Sequence, residues 1–188
     1  MYIYDYKLNA KKNDEFGYAI FVYSITKTFI KQSYIVEIFF YKDNIHVVQF
    51  YLKNHRHSKN RFSLLLSNKN KNTSVHFFYL MNTLVEITQD LYKLNPLASF
   101  GFIGAPTKKE KDKTLNFNNI NIDGTIKNTK RFRVYLLYIK RYFDPMHFDY
   151  FSFNDSSCFL LKNKKNTSLS KEIINDYLNE VIETKISD

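Results

Sequence analysis

From Thr73 to Ala105 the chain reads TSVHFFYLMNTLVEITQDLYKLNPLASFGFIGA, and this passage decides the fold. Thr73-Ser74 end a polar stretch and are good N-cap residues. From Val75 onward, Phe78, Leu84, Val85, Ile87, Leu91 and Leu94 follow helical spacing. Asn95-Pro96 closes that helix, because the residue before proline avoids the α region. Leu97 to Ala105 then reads as a short apolar strand holding Gly101 and Gly104. With Arg61 to Ser67 read as a strand ahead of the helix, the passage is strand–helix–strand, which implies a right-handed parallel crossover.

Upstream, Phe16 to Ser24 reads as a strand, or a strand running into a short helix. Ser33 to Tyr41 and Ile45 to Leu52 are rich in β-branched and aromatic residues, with Asp43-Asn44 as the turn between them. Asn54 to Asn60 is polar and reads as a hairpin tip, so residues 33 to 67 form an antiparallel meander. Downstream, Lys108 to Lys127 is a polar, charged loop. Asn128-Thr129 then caps a second amphipathic helix with Phe132, Tyr135, Leu136, Ile139 and Phe143 on one face, ended by Asp144-Pro145. Phe148 to Phe153 and Ser157 to Lys162 are closing strands. A third helix from about Ser170 carries Ile173, Ile174, Tyr177, Leu178, Val181 and Ile182 on one stripe.

The predicted class is therefore α/β in the α+β sense: a mixed, mostly antiparallel sheet with one parallel crossover and helices packed on it. Residues 1–165 form a single domain, and residues 166–188 an amphipathic helix that packs on it or on a partner. At 188 residues and 44% hydrophobic content there is material for one sizeable core. Four Gly and three Pro are too few for a collagen-like repeat or a Gly/Ser linker. A lone Cys158, within an apolar stretch, excludes an internal disulfide framework and fits a reducing compartment. Residues 1 to 15 lack the apolar region of a signal peptide, and the longest apolar run, Tyr18 to Tyr23, is far too short to span a bilayer. A cytoplasmic location without membrane attachment is the expectation.

The net charge of +10 is concentrated in two places. Lys53, Arg56, Lys59, Arg61, Lys69 and Lys71 form one acid-free run. Lys127, Lys130, Arg131, Arg133, Lys140 and Arg141 form the second, whereas the last eighteen residues are net acidic. Clustered cations attract polyanions such as nucleic acid, acidic lipid or a phosphate-rich cofactor. Lys greatly outnumbers Arg, as coding from an AT-rich genome would produce, so a solvated lysine surface is the competing reading.

The order of elements, and the octapeptide Asn128-Thr129-Lys130-Arg131-Phe132-Arg133-Val134-Tyr135, resemble the GCN5-related N-acetyltransferase (GNAT) family. Many members open the corresponding helix with Asn, then an apolar residue at +4, Arg at +5 and Tyr at +7. Asn128, Phe132, Arg133 and Tyr135 fill those offsets, and the likeness in element order covers about residues 33 to 162. The resemblance implies acetyl-CoA held in a split between two parallel strands, with its pyrophosphate on the N–H groups of a helix start. The matching helix start is Asn68 to Ser74, making Asn68, Lys69, Asn70, Lys71, Thr73 and Ser74 the candidate cofactor residues, with Asn128 orienting the cofactor. Tyr135 would be the acid that protonates the leaving thiolate. The family's loop has the form Arg/Gln-x-x-Gly-x-Gly/Ala, whereas residues 67–74 contain no Gly, so the loop is degenerate.

Two functions follow. One is a catalytically degenerate GNAT-like module that binds nucleic acid or a partner protein without a cofactor. Its polyanion contacts would be Lys53, Arg56, Lys59, Arg61, Lys130, Arg131, Arg133, Lys140 and Arg141. The other is an acyl-CoA-dependent N-acyltransferase. His55-x-His57 has strand spacing but no third ligand and sits among cations, so it reads as exposed or phosphate-contacting rather than metal-binding. Asp144-x-x-His147-x-Asp149 has the residue types of a metal or acid–base cluster, with a helix-terminating Asp before Pro145 as the commoner explanation. Phe50, Tyr51, Phe62, Tyr138 and Tyr142 lie beside basic residues and could stack on bases, with core packing as the default in a chain without Trp.

Overall fold

The computed structural model describes residues 2–13, 17–26, 33–58, 61–63, 73–107, 110–111, 117–121, 126–170, 172–174 and 176–177. Among the described residues there are seven strands: β1 (Asp5–Asn13), β2 (Ala19–Thr26), β3 (Ser33–Phe40), β4 (Ile45–Leu52), β5 (Ser99–Ile103), β6 (Phe148–Phe153) and β7 (Cys158–Asn163). They form one sheet in the order β1-β2-β3-β4-β5-β7-β6. Every pairing is antiparallel except β4 with β5, which run parallel from Ile45↔Ser99 to Val48↔Phe102. The connection between that pair contains α1 (Thr73–Leu94), and α2 (Lys130–Tyr142) follows β5. A short helical stretch lies at residues 172–174 and 176–177.

β4 is in mid-sheet, and all eight of its residues are buried. A strand covered on both faces reads as a near-continuous apolar run, which Ile45–Leu52 supplies. Val48, Phe50 and Leu52 join the larger core, built with α1 and α2, whereas Ile45 and Val47 join a second cluster with Leu160, Leu169, Ile174 and Tyr177. The first described part of the C-terminal region thus packs on the sheet face opposite the two long helices. β1 carries Lys7, Lys11 and Lys12 and is exposed along almost its whole length; lysines on an edge strand discourage pairing with other chains.

Two expectations change. Arg61–Ser63 is a 3-10 turn rather than the start of a strand, and the strand parallel to β5 is β4. The reason is local: the Arg61 guanidinium lies over the rings of Tyr51 and Phe62, folding this segment back onto β4. Residues 64–67 lie outside the described residues. In α1 the buried stripe is Leu80, Leu84, Ile87 and Leu91 with Met81 and Val85, while Phe78 is 53% exposed and Leu94 also faces solvent. Apolar residues on several sides of α1 left its phase ambiguous until the sheet chose one face. The Asp43-Asn44 turn is as read, with both residues at positive φ, where Asx side chains are tolerated.

Candidate polyanion site at the carboxyl end of the parallel strands

β4 outruns β5. Gln49 to Leu52 pair with β3 on one side, and beyond Val48↔Phe102 they have no strand partner on the other among the described residues. An apolar seam covers this split, lined by Phe50 and Phe102 from the strands, Met81 and Leu84 from α1, and Tyr135 and Ile139 from α2. Tyr135 is 4% exposed with its ring 5.8 Å from that of Phe50. Burial pushes its hydroxyl pKa up, and the positive charge of Arg131 pulls weakly the other way. Among the described residues its hydroxyl has no hydrogen-bond partner.

The start of α2 is tied to the end of β5. Thr129 is the N-cap, its Oγ1 accepting from the Phe132 N–H at 3.2 Å and donating to the Gly104 carbonyl. The Thr129 N–H donates to Ser157 Oγ, which donates to the Ile126 carbonyl. Asn128 is exposed, at φ 47, and its carbonyl accepts from Arg133 Nη1 at 2.7 Å. The capping oxygen is thus that of Thr129, and Asn128 supplies a left-handed residue just before it.

One carboxylate braces this helix start. Glu110 Oε1 accepts the Lys130 N–H at 2.6 Å, and its Oε2 accepts the N–H and hydroxyl of Thr107 at 2.8 and 2.7 Å. Burial works to raise the Glu110 pKa, but these hydrogen bonds and the charge of Arg133 leave it below its usual value. Beside it Arg131 is turned inward, 8% exposed, in electrostatic reach of Tyr135 and Glu110. Burial lowers its pKa. Among the described residues its guanidinium makes no hydrogen bond or ion pair. Glu110 had no role in the sequence reading, although Thr107-x-x-Glu110 has capping-box spacing.

The cations sort by position. Lys53 and Arg56, exposed, and Arg61, half-buried, follow the carboxyl end of β4; Lys130, Arg131 and Arg133 sit at the carboxyl end of β5. Lys140 and Arg141 lie toward the far end of α2, about 15 Å along the helix from Lys130. Among the described residues none of these eight is in an ion pair, whereas Lys12, Lys93, Lys127 and Lys164 each have an acidic partner within 4 Å. Lys59, Asn68, Lys69, Asn70 and Lys71 lie outside the described residues. Thr73 and Ser74 open α1 as its first residues.

On the opposite sheet face the same split is bordered by a buried polar group that the sequence reading missed. Glu37 is 5% exposed and pairs with Lys12 at 3.3 Å. It also hydrogen-bonds Tyr51, whose own pKa burial raises to about 12. A Glu within an otherwise apolar strand, SYIVEIFF, was the available signal. The remaining candidates find structural roles. Phe50 and Tyr51 are core residues, and Tyr138 and Tyr142 are half-buried, 5.8 Å apart. His55 and His57 occupy a 3-10 turn and the turn after it, so strand spacing no longer aligns them. Asp144 Oδ1 accepts the Met146 N–H in the turn that ends α2. Cys158 is buried, its thiol pushed up to about 11 by burial, as suits an inert core residue.

Among the described residues no helix is long and apolar enough to cross a membrane, and no group of three or more His, Cys, Asp or Glu side chains is placed to hold a metal. No family model, curated protein or solved structure matches the chain.

Proposed function

We propose that this is a GNAT-like domain that binds nucleic acid through its phosphates, at the carboxyl end of β4 and β5. The observation carrying the reading is that Lys53, Arg56 and Arg61 follow the carboxyl end of β4, and Lys130, Arg131 and Arg133 that of the neighbouring β5, none of them in an ion pair among the described residues. Ligands of open sheets with parallel strands bind outside the strands' carboxyl ends, where helix starts also point. The GNAT-like part is supported by the β1-β2-β3-β4-β5-β7-β6 order, the central parallel pair and the split beyond Val48. Binding to single- and double-stranded DNA and RNA over a salt series tests it. Each phosphate contact contributes about −0.9 to the slope of log K against log salt on a duplex, so engagement of all six cations gives a slope of roughly −5. No binding at low salt overturns the reading.

A second reading, acyl transfer from acetyl-CoA, is favoured by one observation. The side of Gln49–Leu52 that has no strand partner among the described residues offers backbone donors and acceptors to an extended amide chain, with Tyr135 close by on the α2 side. Acetyl-CoA would bring the activated acyl group; Tyr135 would supply a proton from its hydroxyl. The mostly apolar lining around Tyr135 and the lack of Gly in 67–74 weigh against it. Thermal-shift titration with acetyl-CoA separates the two, since a ligand of the native state raises the melting temperature. No shift at millimolar acetyl-CoA removes this second reading.

A further inference from the structure

We infer that Arg61 and Phe62 form a platform for an unpaired nucleobase and its phosphate, so that the protein takes single-stranded nucleic acid in preference to duplex. The inference rests on the nucleic-acid reading and narrows its ligand class.

Short turns after β4 build the platform. The Arg56 N–H donates to the Lys53 carbonyl at 3.2 Å, the Ser58 N–H to that of His55 at 2.9 Å, and the Arg61 N–H to that of Ser58 at 3.0 Å. Arg61 and Phe62 thereby return to Tyr51, near the end of the strand they follow. The Phe62 ring meets that of Tyr51 edge-on, with centroids 5.7 Å apart at 83°. The Arg61 guanidinium lies 4.7 Å from the Phe62 centroid and 5.3 Å from that of Tyr51. Tyr51 is 2% exposed and is the anchor, whereas Arg61 and Phe62 are half-buried and keep part of their surface in solvent.

The nitrogens of Arg61 differ in their surroundings. Among the described residues none of its side-chain nitrogens has a hydrogen bond or ion pair, and only Nε is enclosed. Glu37, which hydrogen-bonds Tyr51, pairs with Lys12 instead. Nη1 and Nη2 are thus open to solvent: the neck of the side chain is held against two rings while its fork is free for an acceptor. A planar fork fixed in this way loses little freedom on taking a phosphate. Arg56, exposed, is also in electrostatic reach of the Tyr51 hydroxyl, which puts a second cation near the first.

Cations alone favour a duplex, whose phosphates are denser and release more counterions per contact than those of a single strand. A half-exposed ring beside them reverses the ranking. A paired base has both faces covered by its neighbours in the stack, whereas an unpaired base can lay one face on Phe62 or on the guanidinium plane. Arg61 then holds the phosphate of the same nucleotide.

The experiment measures fluorescence anisotropy of an oligodeoxythymidylate, an oligouridylate and a mixed-sequence DNA duplex of the same length with the full chain, at matched low salt. The wild-type protein should bind both single strands more tightly than the duplex. Phe62→Leu should weaken single-strand binding about tenfold, the size of one lost base–ring stack, and leave duplex binding nearly unchanged. Phe62→Tyr, which keeps a ring, should recover most of that loss. Arg61→Lys keeps the charge without the flat fork; it should weaken single-strand binding several-fold at an unaltered salt slope, and it serves if Phe62→Leu does not fold. Duplex binding as tight as single-strand binding overturns the inference, as do equal losses on all three ligands in Phe62→Leu, and the nucleic-acid reading then stands without it. Failure of all three to bind overturns both.

Discussion

Gly104 and Phe132 meet so closely that a Cβ on Gly104 would lie 2.6 Å from both the backbone nitrogen and the Cβ of Phe132. The end of β5 and the first turn of α2 are thus in backbone contact, with Thr129 Oγ1 at 2.7 Å from the same point. Any side chain on residue 104 must push α2 off the strand. Gly104→Ala should cost about 1–3 kcal/mol and lower the melting temperature by roughly 3–10 °C. A calorimetric scan decides it; unchanged stability would mean that α2 does not sit on β5 in this way. Because α2 carries Arg131 and Arg133, the variant should also weaken polyanion binding.

The phase of α1 can be tested by a matched pair. Leu84 is buried in the main core, whereas Phe78, the larger residue, is more than half exposed. Leu84→Ala should cost about 2–5 kcal/mol in chemical denaturation. Phe78→Ala should remain within about 1 kcal/mol. The opposite ranking would place the other face of α1 on the sheet.

His46 predicts the acid side of the stability profile. Its ring is enclosed by Phe40 at 4.5 Å and Phe100 at 5.5 Å, and Nδ1 lies 3.0 Å from the Asn44 carbonyl. Burial lowers its pKa below the ordinary 6.5, against smaller opposing effects from the backbone at Asn44 and Ser99. The unfolded chain therefore binds the proton more readily than the native one. Stability contributed by neutral His46 is complete above about pH 6.5 and declines as pH falls from there toward the native pKa. His46→Gln should flatten denaturation midpoints measured between pH 7 and 5; an unaltered slope would assign it to other groups.

The cations past the ends of β4 and β5 should behave differently toward nucleic acid from those at the far end of α2. Lys53→Ala, Arg56→Ala and Arg133→Ala should each weaken binding across all sequences and reduce the salt slope by about one unit. Lys140→Ala and Arg141→Ala, at the far end, should leave both nearly unchanged. Equal effects from all five would show diffuse attraction by a basic surface rather than a site.

Tyr135→Phe distinguishes packing from chemistry. With no hydrogen-bond partner for the hydroxyl among the described residues, its removal should change stability by less than about 1 kcal/mol. Nucleic-acid binding should be unaffected, whereas any acyl transfer from acetyl-CoA would fall sharply, since a proton donor is lost. Radiolabelled acetyl transfer before and after the substitution reads this out.

Much of the fold was legible because burial writes itself into local pattern. Ile45–Leu52 is apolar throughout as a strand covered on both faces must be, and Lys130–Tyr142 shows its inner face at helical spacing. β1 was not legible, since an exposed edge strand has no apolar alternation to announce it. The 61–63 turn was mistaken for a strand start because cation–ring packing against Tyr51 is a contact between segments, which spacing cannot reveal.

The sequence by itself determined the class of the fold, a parallel crossover through α1 though not the strand that begins it, the capped start of α2 and the presence of two basic runs. Those properties are local, set by propensity, periodicity and charge along a few consecutive residues. Only the tertiary structure decided where the cations lie: it set β4 and β5 side by side with Lys53 and Arg56 after one and Lys130, Arg131 and Arg133 after the other, left Lys140 and Arg141 at the other end of α2, and laid Glu110 on the Lys130 N–H. It also turned Arg131 inward beside Tyr135. The physical reason is that a site is a property of distances between separate segments, and those depend on strand order and helix packing rather than on any neighbourhood in the chain.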